Sequence, residues 1–385
     1  MSRLCWTGGE VLRLHQLRPM RMGKVRVRAA GRRGGGAAGQ SLPQLTLLPS
    51  NPAAPQPHLP VLDERRSRST TFIGLKVNSV LNTPASTGMG FWSINPYVGC
   101  EFGCHYCYAR DTHRWAVERA GRLSDLPPEE AFEKEILVKT DVADVLSRTL
   151  NPAKLAGHSL VIGTATDPYQ PAERQFRLTR RILEVLRSYH GLSIGIITKS
   201  SLVSRDLDLL QALSSRHEVT VNISLATADA RLARLLELRS PVPAARLRAL
   251  RRLTEGGIHA GLLVAPIIPG VTDDWAGLAR LLEAAKEAGA RYVVGSALRL
   301  GPAARHRFLP FLTREFPALA ERYRRHYAGK DHVSQSYQDA LNRRLRLLKQ
   351  TYGFSIEEGM RRRRQLEGRL PRKETVDGAE QAILL

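Results

Sequence analysis

Three of the four cysteines lie in one short stretch, Asn95 to Arg110, where Cys100, Cys104 and Cys107 have the spacing C-x3-C-x2-C. Three thiols this close on a glycine-containing loop cannot pair off cleanly as disulfides. They can converge on one metal centre, and iron–sulfur clusters and zinc are the centres that thiolates select.

The number of cysteines separates two kinds of centre. A structural zinc site is tetrahedral and needs a fourth protein ligand, for which His105 and His113 are nearby candidates. A [4Fe–4S] cluster held by three cysteines leaves one iron open for a substrate or cofactor. The spacing alone leaves both alternatives open.

The residues around the cysteines resemble a known signature. With Tyr106 before the last cysteine, Cys100-Glu-Phe-Gly-Cys104-His-Tyr-Cys107 resembles the motif of the radical S-adenosylmethionine (SAM) superfamily. The flanking Ser93-Ile-Asn-Pro-Tyr-Val-Gly-Cys100 and Cys107-Tyr-Ala-Arg110 resemble its spore photoproduct lyase-like branch of DNA repair photolyase-like proteins. The similarity runs from about Thr70 to Tyr352. It implies an enzyme of lyase or transferase type that uses a [4Fe–4S] cluster to cleave SAM to a 5′-deoxyadenosyl radical, which takes a hydrogen atom from a substrate.

The elements that would position such a site alternate between short apolar runs and longer amphipathic ones. Strands are predicted at Phe91–Asn95, Ser159–Gly163, Ser193–Thr198, Val219–Leu225, His259–Ala265 and Tyr292–Ala297. Helices are predicted at Thr179–Tyr189, Arg205–Ser214, Ala230–Leu238, Pro243–Glu255 and Trp275–Ala288. This alternation indicates parallel strands with helices packed outside them. Six such units fit an α/β fold, a partial (β/α)6 TIM-like barrel, which the resemblance also implies.

Composition divides the chain into four parts. Residues 1–65 are rich in Arg, Gly and Pro and are predicted to be disordered. Residues 66–300 form the barrel core, within which the lead-in Thr70–Thr87 is expected to pack across the barrel edge. Residues 301–352 contain two predicted helices, Phe308–Ala328 and Ser334–Tyr352, that pack on the barrel. Residues 353–385 are predicted to form a flexible basic tail.

Ligands of parallel barrels gather where the strands end, and polar residues follow several of the predicted strands. Thr166 and Asp167 follow the second strand, in a Thr-Asp-x-Tyr-Gln-Pro pattern that the similar branch also carries. Asp167 offers an acid for the amino group of SAM, or alternatively an N-cap for the next helix. Lys199 ends the third strand, where an ammonium can pair with the SAM carboxylate. The alternative for Lys199 is a surface lysine.

Two further strand ends complete the predicted cofactor site, together with the signature aromatic Tyr106. Asn222 and Ser224 lie on the same side of the fourth strand because side chains alternate along a strand. Both can hydrogen-bond the ribose or carboxylate, and a satisfied core serine is the alternative for Ser224. The apolar edge that reaches Ile267 on the fifth strand suits packing against adenine.

The net charge of +22 favours a nucleic-acid partner, DNA or RNA, over a merely solvated basic surface. The competing class is therefore a non-catalytic nucleic-acid-binding protein that carries zinc or an iron–sulfur centre. For an enzyme, the resemblance implies a low-potential electron donor such as flavodoxin or ferredoxin. No apolar run is long enough to span a membrane, and the few cysteines fit a reducing, cytoplasmic compartment.

The hydrogen-atom donor and the substrate stay unassigned at this stage. Lyases of the similar branch use a further cysteine to return a hydrogen atom to the product. The chain has no cysteine downstream of Cys107, which argues against thymine-dimer lyase activity. Tyr169 and Tyr337 are alternative donors, and no pattern selects between them.

Overall fold

The computed structural model describes residues 70–113 and 126–355, together with the backbone of short strands in the terminal segments. The strands are β1 Arg3–Thr7, β2 Glu10–Leu14, β3 Val61–Asp63, β4 Thr71–Leu75, β5 Leu81–Asn82, β6 Trp92–Ile94, β7 Tyr97–Val98, β8 Glu135–Lys139, β9 Ser159–Ile162, β10 Tyr189–His190, β11 Ser193–Thr198, β12 Glu218–Ser224, β13 His259–Ile267, β14 Val293–Ala297 and β15 Arg372–Lys373. The helices are α1 Pro84–Thr87, α2 Pro128–Lys134, α3 Val142–Thr149, α4 Glu173–Phe176, α5 Leu178–Leu186, α6 Leu207–Ser214, α7 Ala230–Leu236, α8 Pro243–Glu255, α9 Trp275–Glu287, α10 Pro302–Glu315, α11 Pro317–His326 and α12 Gln335–Thr351.

A seven-stranded sheet in the order β14-β13-β12-β11-β9-β6-β5 forms the centre of the fold. Six neighbouring strands of this sheet pair parallel to one another: β6, β9, β11, β12, β13 and β14. Strand β5 pairs antiparallel with β6 at the edge. All six strands predicted from the sequence are present in this sheet, in chain order. The predicted α/β fold, a partial (β/α)6 TIM-like barrel, is therefore confirmed.

The helices between these strands turn apolar residues toward the sheet. In α6, for example, Leu209, Leu210 and Leu213 are buried, and the helix ends at Ser214 as predicted. Burial of this kind removes apolar surface from water, which is the main favourable term in packing a helix on a sheet. The result is one continuous apolar core between the parallel strands and the helices α5, α6, α8 and α9.

A second sheet, in the order β3-β4-β8-β7, lies beside the first and was not predicted as a sheet. Strand β4 lies in the predicted lead-in Thr70–Thr87 and pairs parallel with β8. Strand β7, which leads into the cysteine loop, pairs antiparallel with β8, so that Tyr97 lies opposite Val138. The entry into the cysteine loop is thus fixed by this smaller sheet.

The predicted helix Phe308–Ala328 is wrong, because the structure contains two helices there and the first begins at Pro302, before the predicted start. Helix α10 ends at Glu315, and α11 begins at Pro317. Proline has no N–H to continue a helix and restricts the residue before it, so the chain breaks at Phe316. Helix α12 packs on the last barrel strand, where Leu345 lies against Gly295.

The terminal segments contain short strands whose backbone is described. Strands β1 and β2 pair antiparallel inside residues 1–65, and β15 in the tail pairs antiparallel with β10. Most other residues of 1–65 and 353–385 lie outside the described part of the chain. The predicted domain boundaries, and the disorder predicted for the two ends, stay predictions.

Candidate metal centre and cofactor site

The cysteine loop follows β7 and ends where a helix begins at Arg110. Two of its glycines have positive φ, +89° at Gly99 and +64° at Gly103, a conformation that side-chain-bearing residues rarely adopt. A Cβ at Gly99 would lie 2.7 Å from the carbonyl oxygen of Phe132, and one at Gly103 would lie 2.5 Å from Glu133 Oε2. The glycines therefore let the loop pack directly against α2.

Of the three cysteines of the loop, Cys100 and Cys104 are buried and Cys107 is half-buried. Burial raises the pKa of each thiol, to about 12 for Cys104, and the neighbouring cysteines add to the shift of Cys100 and Cys104. Thiols in such surroundings stay protonated unless a cation replaces the proton. Three thiols on one loop, two of them buried and the third half-buried, are the donor set that a cluster with three cysteine ligands needs.

The histidines that a zinc site would need are packed against aromatic rings. His105 stacks on Phe311 with ring centroids 4.2 Å apart, and His113 meets the ring of Phe132 edge-on at 5.5 Å. Burial lowers the pKa of both histidines to about 4, so both are neutral at pH 7. Within residues 70–113 and 126–355, no group of three or more His, Cys, Asp or Glu side chains is arranged to hold a single metal ion.

The loop after β9 holds the backbone on both sides of Cys100. Thr166 Oγ1 donates to the carbonyl oxygen of Gly99 at 2.5 Å, and Gln170 Nε2 donates to the same oxygen at 3.2 Å. On the other side, Gln170 Oε1 accepts the N–H of Glu101 at 2.9 Å. Thr166 thus makes one hydrogen bond to the cysteine loop. Gln170, which was not predicted as a site residue, makes two.

Asp167 connects this loop to the end of β11. One carboxylate oxygen accepts from Thr198 Oγ1 at 2.6 Å and from the N–H of Tyr169 at 2.9 Å, and the other accepts the N–H of Lys199 at 2.7 Å. The alternative prediction of a helix N-cap is wrong, because α4 begins at Glu173, six residues later, and has no side-chain cap. Burial raises the pKa of Asp167, and these three donors counteract the shift.

Lys199 is at the centre of the polar site at the strand ends. Its Nζ lies 3.0 Å from Ser224 Oγ, 3.2 Å from Tyr106 Oη and 3.3 Å from Glu237 Oε1. Its side chain is only 16% exposed, so the alternative of a surface lysine is wrong. The structure therefore brings three of the residues predicted to bind the cofactor, Tyr106, Lys199 and Ser224, into direct contact.

Glu237 is the member of this site that sequence reasoning missed. Its carboxylate accepts from Tyr106 Oη and pairs with Arg246, in addition to Lys199. Burial disfavours its charge, but Lys199 and Arg246 outweigh that effect and hold the pKa of Glu237 at about 2. Its backbone forms an antiparallel bridge with Cys104, and Ser240 Oγ lies 3.7 Å from Cys104 Sγ. These contacts connect the cysteine loop to the polar site around Lys199.

The remaining two predicted residues lie outside these contacts. Asn222 is fully buried, donates to the carbonyl oxygen of Ile196 at 3.1 Å and accepts from Tyr292 Oη at 2.9 Å. Ile267 is also fully buried, and its carbonyl oxygen accepts the N–H of Leu298 at 3.0 Å. Their roles in binding ribose and adenine stay predictions.

Fold and site together define a parallel partial barrel in which the first strand, β6, is followed by β7 of the smaller sheet and then by the three-cysteine loop. Residues 94–282 match the family model of the radical SAM superfamily. An uncharacterized protein of Mycobacterium tuberculosis is 33% identical over 288 residues, which cover 73% of this chain and 82% of the relative. An uncharacterized protein of Methanocaldococcus jannaschii is 31% identical over 52% of this chain and 69% of its own length. The chain belongs to the radical SAM superfamily, whose members use a [4Fe–4S] cluster and SAM.

Solved structures of spore photoproduct lyase show a similar fold. A mutant with bound AdoMet and dinucleoside spore photoproduct aligns with a TM-score of 0.54 at 15% identity, over 73% of this chain and 79% of the lyase. A second lyase mutant, with the dinucleoside spore photoproduct, gives a TM-score of 0.53 at 16% identity over the same shares. Within its described residues, this chain contains no helix that is both long and apolar enough to cross a membrane.

Proposed function

We propose that this protein is a radical SAM enzyme that binds a [4Fe–4S] cluster through Cys100, Cys104 and Cys107 and holds SAM at the neighbouring strand ends. The cluster and SAM, when bound, supply the reductive cleavage that yields a 5′-deoxyadenosyl radical. The chain supplies the ligands, the orientation of the cofactor and the exclusion of water. The observation that carries the proposal is the contact of Lys199 Nζ with Tyr106, the residue directly before the third cysteine.

The charges around Lys199 favour an anionic ligand. Lys199 and Arg246 are both cationic and share the single carboxylate of Glu237, so one positive charge is left over among these three side chains. The carboxylate of SAM carries one negative charge and would balance it. Tyr106 and Ser224 each contact the ammonium and would orient it toward this carboxylate.

Asp167 has a role in this proposal that differs from direct binding of the SAM amino group. Both of its oxygens already accept hydrogen bonds, and one bond holds the backbone of Lys199. We therefore assign Asp167 to positioning Lys199, and Thr166 to positioning the backbone next to Cys100. Asn222 and Ile267 are retained as candidates for ribose and adenine because they lie on the adjoining strands β12 and β13.

A nucleic acid is the proposed substrate class, and a reaction of lyase type is the proposed chemistry. The net charge of +22 supports a polyanionic partner, and the lyase structures with the same fold hold a dinucleoside spore photoproduct. The reducing cytoplasm is the proposed compartment, since thiols must stay reduced to bind the cluster. A donor other than a cysteine downstream of the loop would have to return the hydrogen atom, because the chain has none there.

The proposal is tested by anaerobic reconstitution with iron and sulfide. We expect about four irons per chain, as a [4Fe–4S] cluster requires, and 5′-deoxyadenosine after a reductant and SAM are added. Cys104→Ala should abolish the brown colour while the far-UV circular dichroism keeps its wild-type shape. One zinc per chain without nucleoside formation would overturn the proposal in favour of a metal-bearing binding protein.

The substrate class is tested separately by binding to DNA and RNA at two salt concentrations. Contacts to phosphate release counterions, so affinity for a nucleic acid should fall steeply between about 50 and 200 mM salt. Affinity that does not change with salt would contradict a nucleic-acid substrate and leave the SAM chemistry unaffected.

A further inference from the structure

A second charged cluster lies against the cysteine loop, on the side formed by α2 and α10. Glu130, Glu133, Lys134, Arg239 and Arg307 line a cavity of about 130 Å³. The buried Arg110 belongs to the same cluster, because its Nη2 lies 3.3 Å from Glu133 Oε1. We call the four cations and two carboxylates of this group the basic patch.

The basic patch touches the backbone of the cysteine loop directly. Arg239 Nε donates to the carbonyl oxygen of Glu101, and Arg110 Nη2 donates to that of Cys104 at 3.3 Å. Gly103 packs against the ion pair of Glu133 and Arg239. A molecule bound at the patch would therefore be separated from the loop by single side chains.

The patch carries a surplus of positive charge. Glu133 is buried and pairs with three guanidinium groups, those of Arg110, Arg239 and Arg307. Although burial alone disfavours a charged carboxylate, these arginines lower the pKa of Glu133, which is therefore ionised at pH 7. The other carboxylate, Glu130, is offset by Lys134 at 3.4 Å. Four cations against two carboxylates leave two positive charges.

These positive charges can be reached from solvent. The side chains of Lys134 and Arg239 are 43% and 45% exposed, and that of Arg307 is 33% exposed. Arg110, by contrast, is completely buried and connects the patch to the loop. The arrangement has an exposed cationic rim and a buried polar link to Cys104.

We propose that the basic patch is the docking surface for an acidic, low-potential electron-transfer protein of the flavodoxin or ferredoxin type. The inference rests on the proposed function, because it concerns how the cluster would be reduced. One electron passes from the docked donor, which is oxidised by one electron, to the cluster, which is reduced by one. No bond forms or breaks in this step. Redox partners dock through small, transient interfaces, and complementary charge mainly raises their association rate.

A redox partner fits this patch better than a nucleic acid does because of where the patch lies. It contacts the backbone of Glu101 and Cys104, whereas the polar site proposed for SAM is built around Lys199. A donor needs a short route to the cluster, and a substrate needs access to the cofactor. A nucleic acid bound at the patch is one outcome that the experiment below separates.

The experiment compares two doubly substituted proteins, both reconstituted with cluster. Lys134→Gln with Arg307→Gln removes two charges from the patch. Arg252→Gln with Arg280→Gln removes two exposed charges from the outer helices α8 and α9 and is the matched control. The loss of cluster absorbance is followed by stopped flow after mixing with reduced flavodoxin, and binding of oxidised flavodoxin is measured by titration.

We expect the patch variant to be reduced about tenfold more slowly than wild type at low salt, and the control less than twofold more slowly. The difference should shrink at about 0.5 M salt, where charges are screened within a few ångströms. The affinity for oxidised flavodoxin should likewise fall more in the patch variant than in the control variant. Equal rates and affinities for the two variants would overturn the inference, as would a patch variant that loses affinity for DNA but keeps its rate with flavodoxin.

Photoreduced deazariboflavin, a small reductant, separates failure of the inference from failure of the proposed function. All variants should form 5′-deoxyadenosine equally with this reductant. If none does, the proposed function is wrong, whatever the flavodoxin rates. If the patch variant fails to take up iron, the single substitution Lys134→Gln, whose half-exposed side chain pairs with the exposed Glu130, replaces it, with Arg252→Gln as its control.

Discussion

The carboxylate of Asp167 accepts the backbone N–H of Lys199 at 2.7 Å, which joins the loop after β9 to the end of β11. The same loop holds the backbone next to Cys100 through Gln170. The position of Lys199 is therefore coupled to that of the cysteine loop. This coupling gives the two halves of the proposed site, metal ligands and cofactor contacts, a common support.

Replacing Lys199 by alanine should weaken SAM binding without loss of the cluster. Hydrogen bonds to charged groups contribute about 1.5–3 kcal/mol, so the dissociation constant should rise at least about tenfold. Equilibrium binding of SAM to the reconstituted protein measures this change, and iron analysis should give the wild-type content. Lys154→Ala, at an exposed position, is the control. An unchanged dissociation constant would remove Lys199 from the site.

The buried pair of Glu237 and Arg246 should show strong thermodynamic coupling. Glu237→Leu leaves Arg246 buried without its counter-charge, and removing one partner of a buried pair costs about 3–5 kcal/mol. The double substitution Glu237→Leu with Arg246→Met should cost clearly less than the sum of the single ones. Urea unfolding of the four proteins at pH 7 measures the cycle. Additive losses would show that the two side chains do not stabilise each other.

The barrel strands were predictable because each is a short apolar run between polar turns, a pattern set by local sequence. Strand β8 was missed because Glu135–Lys139 directly continues helix α2 and pairs with β4 and β7, which are distant in sequence. Lys199 was found because a cation directly follows an apolar strand.

Glu237 could not be found in the same way. The helical pattern predicted Ala230–Leu238, which places Glu237 on a helix surface. The helix instead ends at Leu236, and Glu237 turns inward because its backbone pairs with Cys104. That pairing is a long-range contact, and no local pattern encodes it.

Gly99→Ala should disturb the cysteine loop more than alanine at a matched glycine elsewhere. Both Gly99 and Gly157 have positive φ, +89° and +70°, so both substitutions carry backbone strain of about 1 kcal/mol. A Cβ at Gly157 meets no atom within 4 Å, whereas one at Gly99 meets the backbone carbonyl of Phe132. The free energy of unfolding, measured with a denaturant, and the iron content after reconstitution should both fall further for Gly99→Ala than for Gly157→Ala. Equal values for the two variants would contradict the tight packing of the loop.

His217 should make the protein less stable as the pH falls below about 6.5. Its Nδ1 accepts the N–H of Leu192 at 3.1 Å, and burial lowers its pKa from 6.5 to about 4. Between these values the unfolded chain binds a proton that the folded chain does not, so acidification favours unfolding. At pH 5 the cost is about 2 kcal/mol, since one pKa unit corresponds to about 1.36 kcal/mol.

The effect of His217 is isolated by comparing two variants between pH 7 and pH 5. His217→Gln should be less stable than wild type at pH 7 because it loses the buried imidazole contacts, but its free energy of unfolding should fall by about 2 kcal/mol less on acidification. His158→Gln, at an exposed position, should keep the wild-type pH profile. Other buried histidines, His105 and His113, contribute equally to all three proteins and cancel in the comparison. Parallel profiles for His217→Gln and wild type would show that His217 takes up its proton without unfolding.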